Sequence, residues 1–351
     1  MGLLVRVADG RARRVLFFAR HLATPPAPHN GAGSHGGWGW PGAARRCREE
    51  ASVTAQRVAY QGEPGAFSDE ACRRFAGGYE PLACPTFDAV FAAVAEGRAA
   101  RAMVPVENAI AGRVDDVYRL LPDMRMQAVA EHFLPIRMQL MANPGADEGD
   151  LRVVRSHPMA LSQCKGMIRR RGLVAEVAPD TAGAARRLSE RPQAHVAILA
   201  PEAAAKAYGL TIVERDVQDA ERNATRFLTL APEGDAAWPD LVSGPVLTSL
   251  VFRVRNIPAA LYKALGGFAT EGVNMIKLES YQEDATFRAT RFQAEVEGHP
   301  DDAPLRRALD ELGYFSSDVT LLGVFPADPY RAKVARDCGR RAATARDVTQ
   351  A

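Results

Sequence analysis

The residues best placed to do chemistry in this chain stand in five short polar strings, and none carries a full set of acid–base groups. "NATRF" (223–227) follows the acid-rich run "ERDVQDAE" and opens the apolar run "LTLA". It offers Asn223, Thr225 and Arg226 but no carboxylate, His or Cys. "QGEPGAFS" (61–68) ends on Ser68, and its two Gly bring backbone N–H groups near a helix start, which suits an anion. "PVEN" (105–108) ends on Asn108, "SHPMALSQC" (156–164) holds His157 and Gln163, and "DTAG" (180–183) holds Thr181 as an N-terminal donor. Taken singly, each string reads as a turn or a helix cap, since Asn, Ser, Thr and Asp are good caps. A lone His of this kind is more often structural than catalytic. Four strings at equivalent strand ends, together with NATRF, favour one shared pocket, because ligands of α/β sheets gather at the carboxyl ends of strands. Such a pocket holds Ser, Thr, Asn, Gln and backbone donors, with Glu107 its only carboxylate. It binds anions well and has little acid–base power, so its substrate should be carboxylate-rich and already primed to react.

The elements that must position these strings follow a regular pattern from Arg57 onward. "RVAYQG", "AMVPVEN", "LRVVRSH", "LVAEVAP", "HVAIL", "TIVERDV" and "TRFLTLA" read as strands. "DEACRRF", "FDAVFAAVAEG", "VDDVYRLL", "PMALSQCKGMIRRRG", "TAGAARRLSE" and "PEAAAKAYG" read as helices, with Pro158 at one start and Gly97 as a cap. "MQAVAEHFLPIRMQLMANP" reads as extended. Alternating strands and helices imply an α/β region with parallel sheets, as one sheet or two lobes. No internal repeat is visible in it. The loop-like "PEGDAAWPDLVSGP" then reads as a linker. After it "TSLVFRVR", "IPAALYKALGGFATEG", "NMIKLESYQ", "TRFQAEVEG", "DDAPLRRALDELGYF" and "VTLLGVFP" give the order βαββαβ, the ferredoxin-like arrangement.

Composition narrows the function classes. At 351 residues the chain should hold two domains or a little more. Its net charge of +2 misleads, because the Arg-rich residues 1–51 leave the body slightly acidic. That argues against nucleic acid as a partner. Five Cys in irregular spacing form no CxxC pair, so a reducing compartment and no structural zinc are expected. The apolar stretches fall short of a membrane span. Residues 1–55, Gly/Pro-rich and without periodicity, are expected to be a disordered extension or an over-extended start. "VLFFARHL" makes a poor secretory signal, and its Arg-rich setting faintly resembles a transit peptide. Residues 330–351 read as a frayed helix or tail.

Taken together, "QGEPGAFS", "VPVENAIAG", "SHPMALSQC", "DTAG" and "NATRF" resemble the prephenate dehydratase family in order and approximate spacing, from about Arg57 to Pro329. The resemblance implies a catalytic domain over 56–232 with the two-lobed fold of type II periplasmic binding proteins. A linker over 233–246 and an ACT regulatory domain over 247–329 would follow. It implies decarboxylative dehydration of prephenate to phenylpyruvate, CO2 and water in phenylalanine biosynthesis, in the cytoplasm, with no cofactor or metal. By the family match Thr225 is the proton donor to the departing hydroxyl. Ser68, Asn108, Thr181 and Asn223 are substrate binders, with His157 and Gln163 further candidates. Arg226 is a partner for a substrate carboxylate or, equally, half of a structural ion pair. Phe227 packs the pocket floor.

Two departures stand out from the family pattern. Ala109 replaces a Ser common after "PVEN", and "PAAL" (258–261) and "ESYQ" (279–282) stand where relatives show "GALV" and "ESRP". Inhibition by L-phenylalanine is expected between the ACT domains of two subunits, at Ala260, Leu261, Asn274, Glu279 and Ser280. This implies a homodimer or homotetramer. Arogenate dehydratase and a non-catalytic amino-acid-sensing protein are the alternatives.

Overall fold

The run "RVAYQ" is apolar at its centre, and as strand β3 (Arg57–Gln61) its Val58, Ala59 and Tyr60 are fully buried. A strand flanked by parallel neighbours has both faces covered, so a continuous apolar run is what such a position needs. The computed structural model describes residues 57–235, 239, 244–255, 257–282 and 289–336, with the backbone of a short antiparallel pair, β1 (Leu4–Val5) and β2 (Arg13–Arg14). The rest of the 1–55 extension lies outside the described residues, as do most of residues 236–243 and all of 337–351.

β3 pairs in parallel with β4 (Glu80–Cys84) and β5 (Arg101–Asn108), and β6 (Gly112–Arg113) folds back on β5. Helix Phe67–Phe75 buries Ala71 and Cys72 against Val58 and Tyr60, while helix Phe87–Ala95 buries Val90 and Phe91 on the face of Ala59. The chain leaves this lobe through β7 (Met126–Pro135) and enters a second through β8 (Gln139–Ala142). There β9 (Val153–Ser156), β10 (Val174–Val177), β11 (Val196–Ala200) and β12 (Thr211–Glu214) alternate with helices Thr181–Glu190 and Glu202–Tyr208. Residues 215–223 return the chain to β13 (Ala224–Pro232) in the first lobe.

The lobes share one topology, which the sequence did not reveal. Strand orders are β4-β3-β5-β13-β7 and β10-β9-β11-β8-β12. In each, the first strand is flanked by the second and third, and a strand arriving from the other lobe runs antiparallel beside the third. The sheets are therefore mixed rather than parallel, because β8 and β13 enter from the opposite direction. Two lobes joined by two crossings are the plan expected of the type II binding-protein fold.

The second unit has the ferredoxin-like order. β14 (Val246–Val254), helix Ala260–Thr270, β15 (Met275–Gln282), β16 (Ala289–Glu297), helix Ala303–Phe315 and β17 (Ser316–Pro326) form a sheet ordered β15-β16-β14-β17. Both helices pack on one face over Leu250, Phe252, Ala294 and Val296. The other face turns toward the first lobe, and β17 meets β7 in parallel at Gly323 and Ala128, making one ten-stranded sheet. The junction is tight: a Cβ on Gly323 would lie 2.3 Å from the Ala128 carbonyl oxygen. Gly323→Ala should push β17 from β7 and cost about 1–3 kcal/mol, the usual range for overpacking. Thermal unfolding should show a lowered midpoint, and an unchanged one would contradict the packing described.

The tail reading needs correction. Residues 329–336 are helical, and this segment is docked: Tyr330 stacks on Phe133 at 4.8 Å, and Arg331 reaches Glu131. The expected single helix after Pro158 is two, Pro158–Ser162 and Lys165–Arg170, broken at Gln163 and Cys164. The break frees the Gln163 carbonyl to accept from Asp219 N–H at 2.7 Å, tying the second lobe to the return crossing.

Candidate active site

β13 lies between β5 and β7 and places Thr225 opposite Asn108, with Arg226 opposite Glu107. The β5 register shifts after Arg226, where Phe227 pairs with Pro105. Proline cannot donate to the ladder, so a bulge at this point is its natural accommodation. Side chains alternate across a strand, so Thr225 and Arg226 must face opposite ways.

On the Thr225 side the polar groups form one chain. Asn108 Nδ2 donates to Thr225 Oγ1 and to Asn223 Oδ1, both at 2.9 Å. Asn108 Oδ1 accepts from the backbone N–H of Ile110 at 3.0 Å and Ala111 at 2.8 Å. Those two donors fix the amide orientation, since only its oxygen can accept them. Asn223 Oδ1 is thereby occupied, and its Nδ2 donates to Gln163 Oε1 at 3.0 Å. Asn108 of the first lobe, Asn223 at the end of the return crossing and Gln163 of the second lobe are thus joined. Thr225 Oγ1 accepts from Asn108, so its own proton remains available to another acceptor. A hydroxyl that accepts one hydrogen bond donates the next more strongly. Thr225 and Asn223 are buried, Asn108 partly so.

The other candidates make local contacts at the starts of their own helices, apart from this chain of hydrogen bonds. Ser68 is the second residue of its helix and is buried. The expected anion site in its turn is taken internally: Gly65 N–H donates to Asp69 Oδ2 at 2.9 Å. His157 caps the helix Pro158–Ser162, with Nδ1 accepting from Met159 N–H at 3.2 Å. Thr181 opens its helix, which Asp180 caps by accepting from Gly183 N–H. The lobes also meet across the turn. Tyr208 OH donates to the Pro64 carbonyl at 2.8 Å, Arg186 pairs with Glu63 at 3.3 Å, and Gly65 lies against the Ala204 backbone. Phe227 is buried against Tyr60, Met103 and Leu134.

Arg226 faces the ferredoxin-like unit. Its Nε donates to Glu131 Oε2 at 2.7 Å, and Nη1 donates to both Glu295 oxygens at 2.8–2.9 Å. All three side chains are at most 3% exposed. Burial alone would lower the Arg226 pKa, but the charges of Glu295 and Glu131 outweigh it and raise it. Burial likewise pushes Glu131 up, yet hydrogen bonds from Arg331 and the Arg226 charge hold it below the ordinary carboxylate value. Of the two roles open to Arg226, the geometry supports the structural ion pair. Glu131 and Glu295 were missed, although each stands in an apolar strand run, "AVAEHFL" and "FQAEVE". A carboxylate at a buried strand position needs a cation, and that was the signal available.

The expected effector residues do not converge within one chain. Ala260 and Leu261 begin helix Ala260–Thr270 at the same sheet end as Ser280, while Asn274 precedes β15 at the other. Six residue-to-residue steps along the strand separate Asn274 from Ser280, roughly 20 Å. Glu279 is corrected: it faces the first lobe, accepting from Arg113 Nη1 at 2.5 Å and lying 3.3 Å from Lys277. Alternation along β15 sets Ser280 and Glu279 on opposite faces. Ala259 carries φ +60°, a conformation that favours glycine.

The two lobes, the hydrogen-bonded polar chain that joins them and the ferredoxin-like second unit define a protein with a two-lobed α/β body and an α+β second unit. Residues 58–235 match the family described as prephenate dehydratase. A Komagataeibacter europaeus protein named bifunctional N-acyl-homoserine lactone acylase/prephenate dehydratase is 47% identical over 276 residues, covering 79% of this chain and 98% of that protein. Arogenate dehydratase/prephenate dehydratase 2 of Arabidopsis thaliana is 37% identical, covering 78% and 73%. A solved prephenate dehydratase from Arthrobacter aurescens, in complex with L-Phe, shares the fold, with a TM-score of 0.71 at 24% identity over 77% of this chain and 90% of that one. The chain belongs to the prephenate dehydratase family and is a lyase.

Proposed function

We propose that this chain converts prephenate to phenylpyruvate, CO2 and water, with Thr225 as the proton donor. The observation that carries the reading is the Asn108–Thr225 hydrogen bond, which occupies Oγ1 as an acceptor and leaves the hydroxyl proton for the substrate. The C–C bond to the ring carboxylate breaks and CO2 departs. Its electron pair enters the ring, and the C–O bond breaks as the hydroxyl oxygen takes the Thr225 proton. Water leaves, the ring is aromatic, and Thr225 regains a proton from solvent, so the net reaction takes up one proton. The substrate holds the driving force, so placement and one proton transfer suffice, the latter worth roughly 10²–10⁴-fold. Asn108, Asn223 and Gln163 hold Thr225 and the lobes in register. Ser68, Thr181 and His157 line the approach for the substrate carboxylates.

Residues 247–329 act as a phenylalanine-sensing ACT domain. The wide separation of Asn274 from Ser280 favours a site completed by a second subunit, in a homodimer or homotetramer. The fold neighbour from Arthrobacter aurescens is described with L-Phe, which supports that effector. A cytoplasmic location is the one we infer for this biosynthetic reaction. Two of the relatives bring alternatives into view. Arogenate differs by an amino group, and the 47% identical relative is named for acylase activity as well. A side-by-side assay of prephenate, arogenate and an N-acyl-homoserine lactone, with and without L-phenylalanine, separates these. Phenylpyruvate formation that phenylalanine lowers is expected. Turnover of neither dehydratase substrate would remove the reading.

A further inference from the structure

Two pairs of oppositely charged residues face one another behind the site. Arg226 and Glu107 are direct cross-strand partners on β13 and β5, one residue from Thr225 and Asn108. Lys277 and Glu295 are direct cross-strand partners on β15 and β16 of the second unit. The pairs interlock: Lys277 Nζ lies 3.2 Å from Glu107 Oε2, and Arg226 Nη1 lies 2.8 Å from Glu295 Oε2. Lys277 also donates to Tyr118 OH at 2.7 Å and sits 4.5 Å from its ring centroid. Its side chain is only 9% exposed. Cations and carboxylates alternate around this plate, so each charge has a partner on the other unit. Just beyond it, Arg113 on β6 is held by Glu279 and lies over the Tyr281 ring at 5.1 Å, which clamps the hairpin carrying Ile110 and Ala111.

We propose that Lys277 and Glu295 are positioning residues for the Asn108–Thr225 pair. They act through Glu107 and Arg226, whose backbones are continuous with the two site residues. The second unit thereby sets the separation and twist of β5 and β13 where the proton donor is held. The role rests on the dehydratase reading above only for its kinetic consequence. Misplacing a reacting group by about 1 Å can cost on the order of 10²-fold in rate, so a small slip of either strand is enough to matter. The side-chain partners of Lys277 and Glu295 are Glu107, Tyr118, Glu279, Arg226 and Arg331 rather than Asn108 or Thr225, and the expected signature is a change in kcat with little change in KM.

The test uses the full chain with Lys277→Met and Glu295→Gln, both close to the original in size, and Lys263→Met on the exposed helix as control. Glu107 is partly exposed and Arg226 keeps Glu131, so both variants should fold. With prephenate, each should lower kcat about tenfold or more while KM stays within about threefold, and Lys277→Arg should restore most of the rate. The Asn108 side-chain amide resonance, assigned by its loss in Asn108→Ala, should move in both variants and not in Lys263→Met. Wild-type kcat in the folded variants, or an Asn108 amide unmoved in both, would overturn the inference. A wild-type chain inactive on every dehydratase substrate would sink the functional reading instead, and the amide shift would then decide the coupling alone.

Discussion

Thr225→Val should lower kcat by roughly 10²–10⁴-fold, the range that a general acid contributes. Valine keeps the shape of threonine and removes only the hydroxyl, so the loss should appear in turnover rather than in folding. Asn108 Nδ2 would keep Asn223 Oδ1 as an acceptor, and its Oδ1 would keep both backbone donors. No buried polar group in that chain is left without a partner, and the unfolding midpoint should stay close to wild type. Thr225→Ser should retain a measurable share of the rate, because it restores the hydroxyl with a freer rotor. Steady-state kinetics on prephenate with all three proteins checks both statements. A folded Thr225→Val enzyme turning over at near wild-type rate would remove Thr225 as the donor.

Arg226→Met should be the most destabilising single change near the site, by about 3–5 kcal/mol, the range for stripping one partner from a buried ion pair. Glu295 would lose both of its guanidinium hydrogen bonds, while Glu131 would keep Arg331 and the Asp328 N–H. The cost should therefore fall mainly on Glu295 and on docking of the second unit. Arg226→Lys should recover part of it, since one ammonium cannot reproduce the fork that serves two carboxylates. Urea titration of the three proteins measures the difference. A loss below about 1 kcal/mol for Arg226→Met would place the cluster among exposed pairs of little weight.

How far the sequence could be read depended on the range of each signal. Strands such as "RVAYQ" and "HVAIL" were legible because apolar runs between turn residues are local patterns. The helix Glu202–Tyr208 was legible through its Gly209 stop, which takes φ +67°. The βαββαβ order of the second unit followed from the same local cues. Strand direction is not local, so the antiparallel entry of β8 and β13 and the shared order of the lobes emerged only from pairing. Asn108, Asn223, Thr225 and Gln163 were nominated from three separate strings, and the fold brings them into one hydrogen-bonded chain. The side to which Arg226 turns was in principle legible, since it must oppose Thr225. What could not be read was its company, because Glu131 lies 95 residues and Glu295 69 residues away. The turn at Gly65 misled for a different reason: a helix N-terminus suits any anion, and here Asp69 of the same helix supplies it. Tyr330 and Arg331 looked like the start of a tail because their partners, Phe133 and Glu131, lie in the other unit.

The placement of the leaving group is the most direct measurement of all. A crystal structure of the chain with a stable prephenate analogue bound should show the ring hydroxyl oxygen about 2.6–3.2 Å from Thr225 Oγ1, within the reach a proton donor requires. Asn108 Nδ2 should still donate to that same Oγ1. An analogue seated in the cleft with its hydroxyl directed at another side chain, or beyond hydrogen-bond reach of Thr225, would contradict the account.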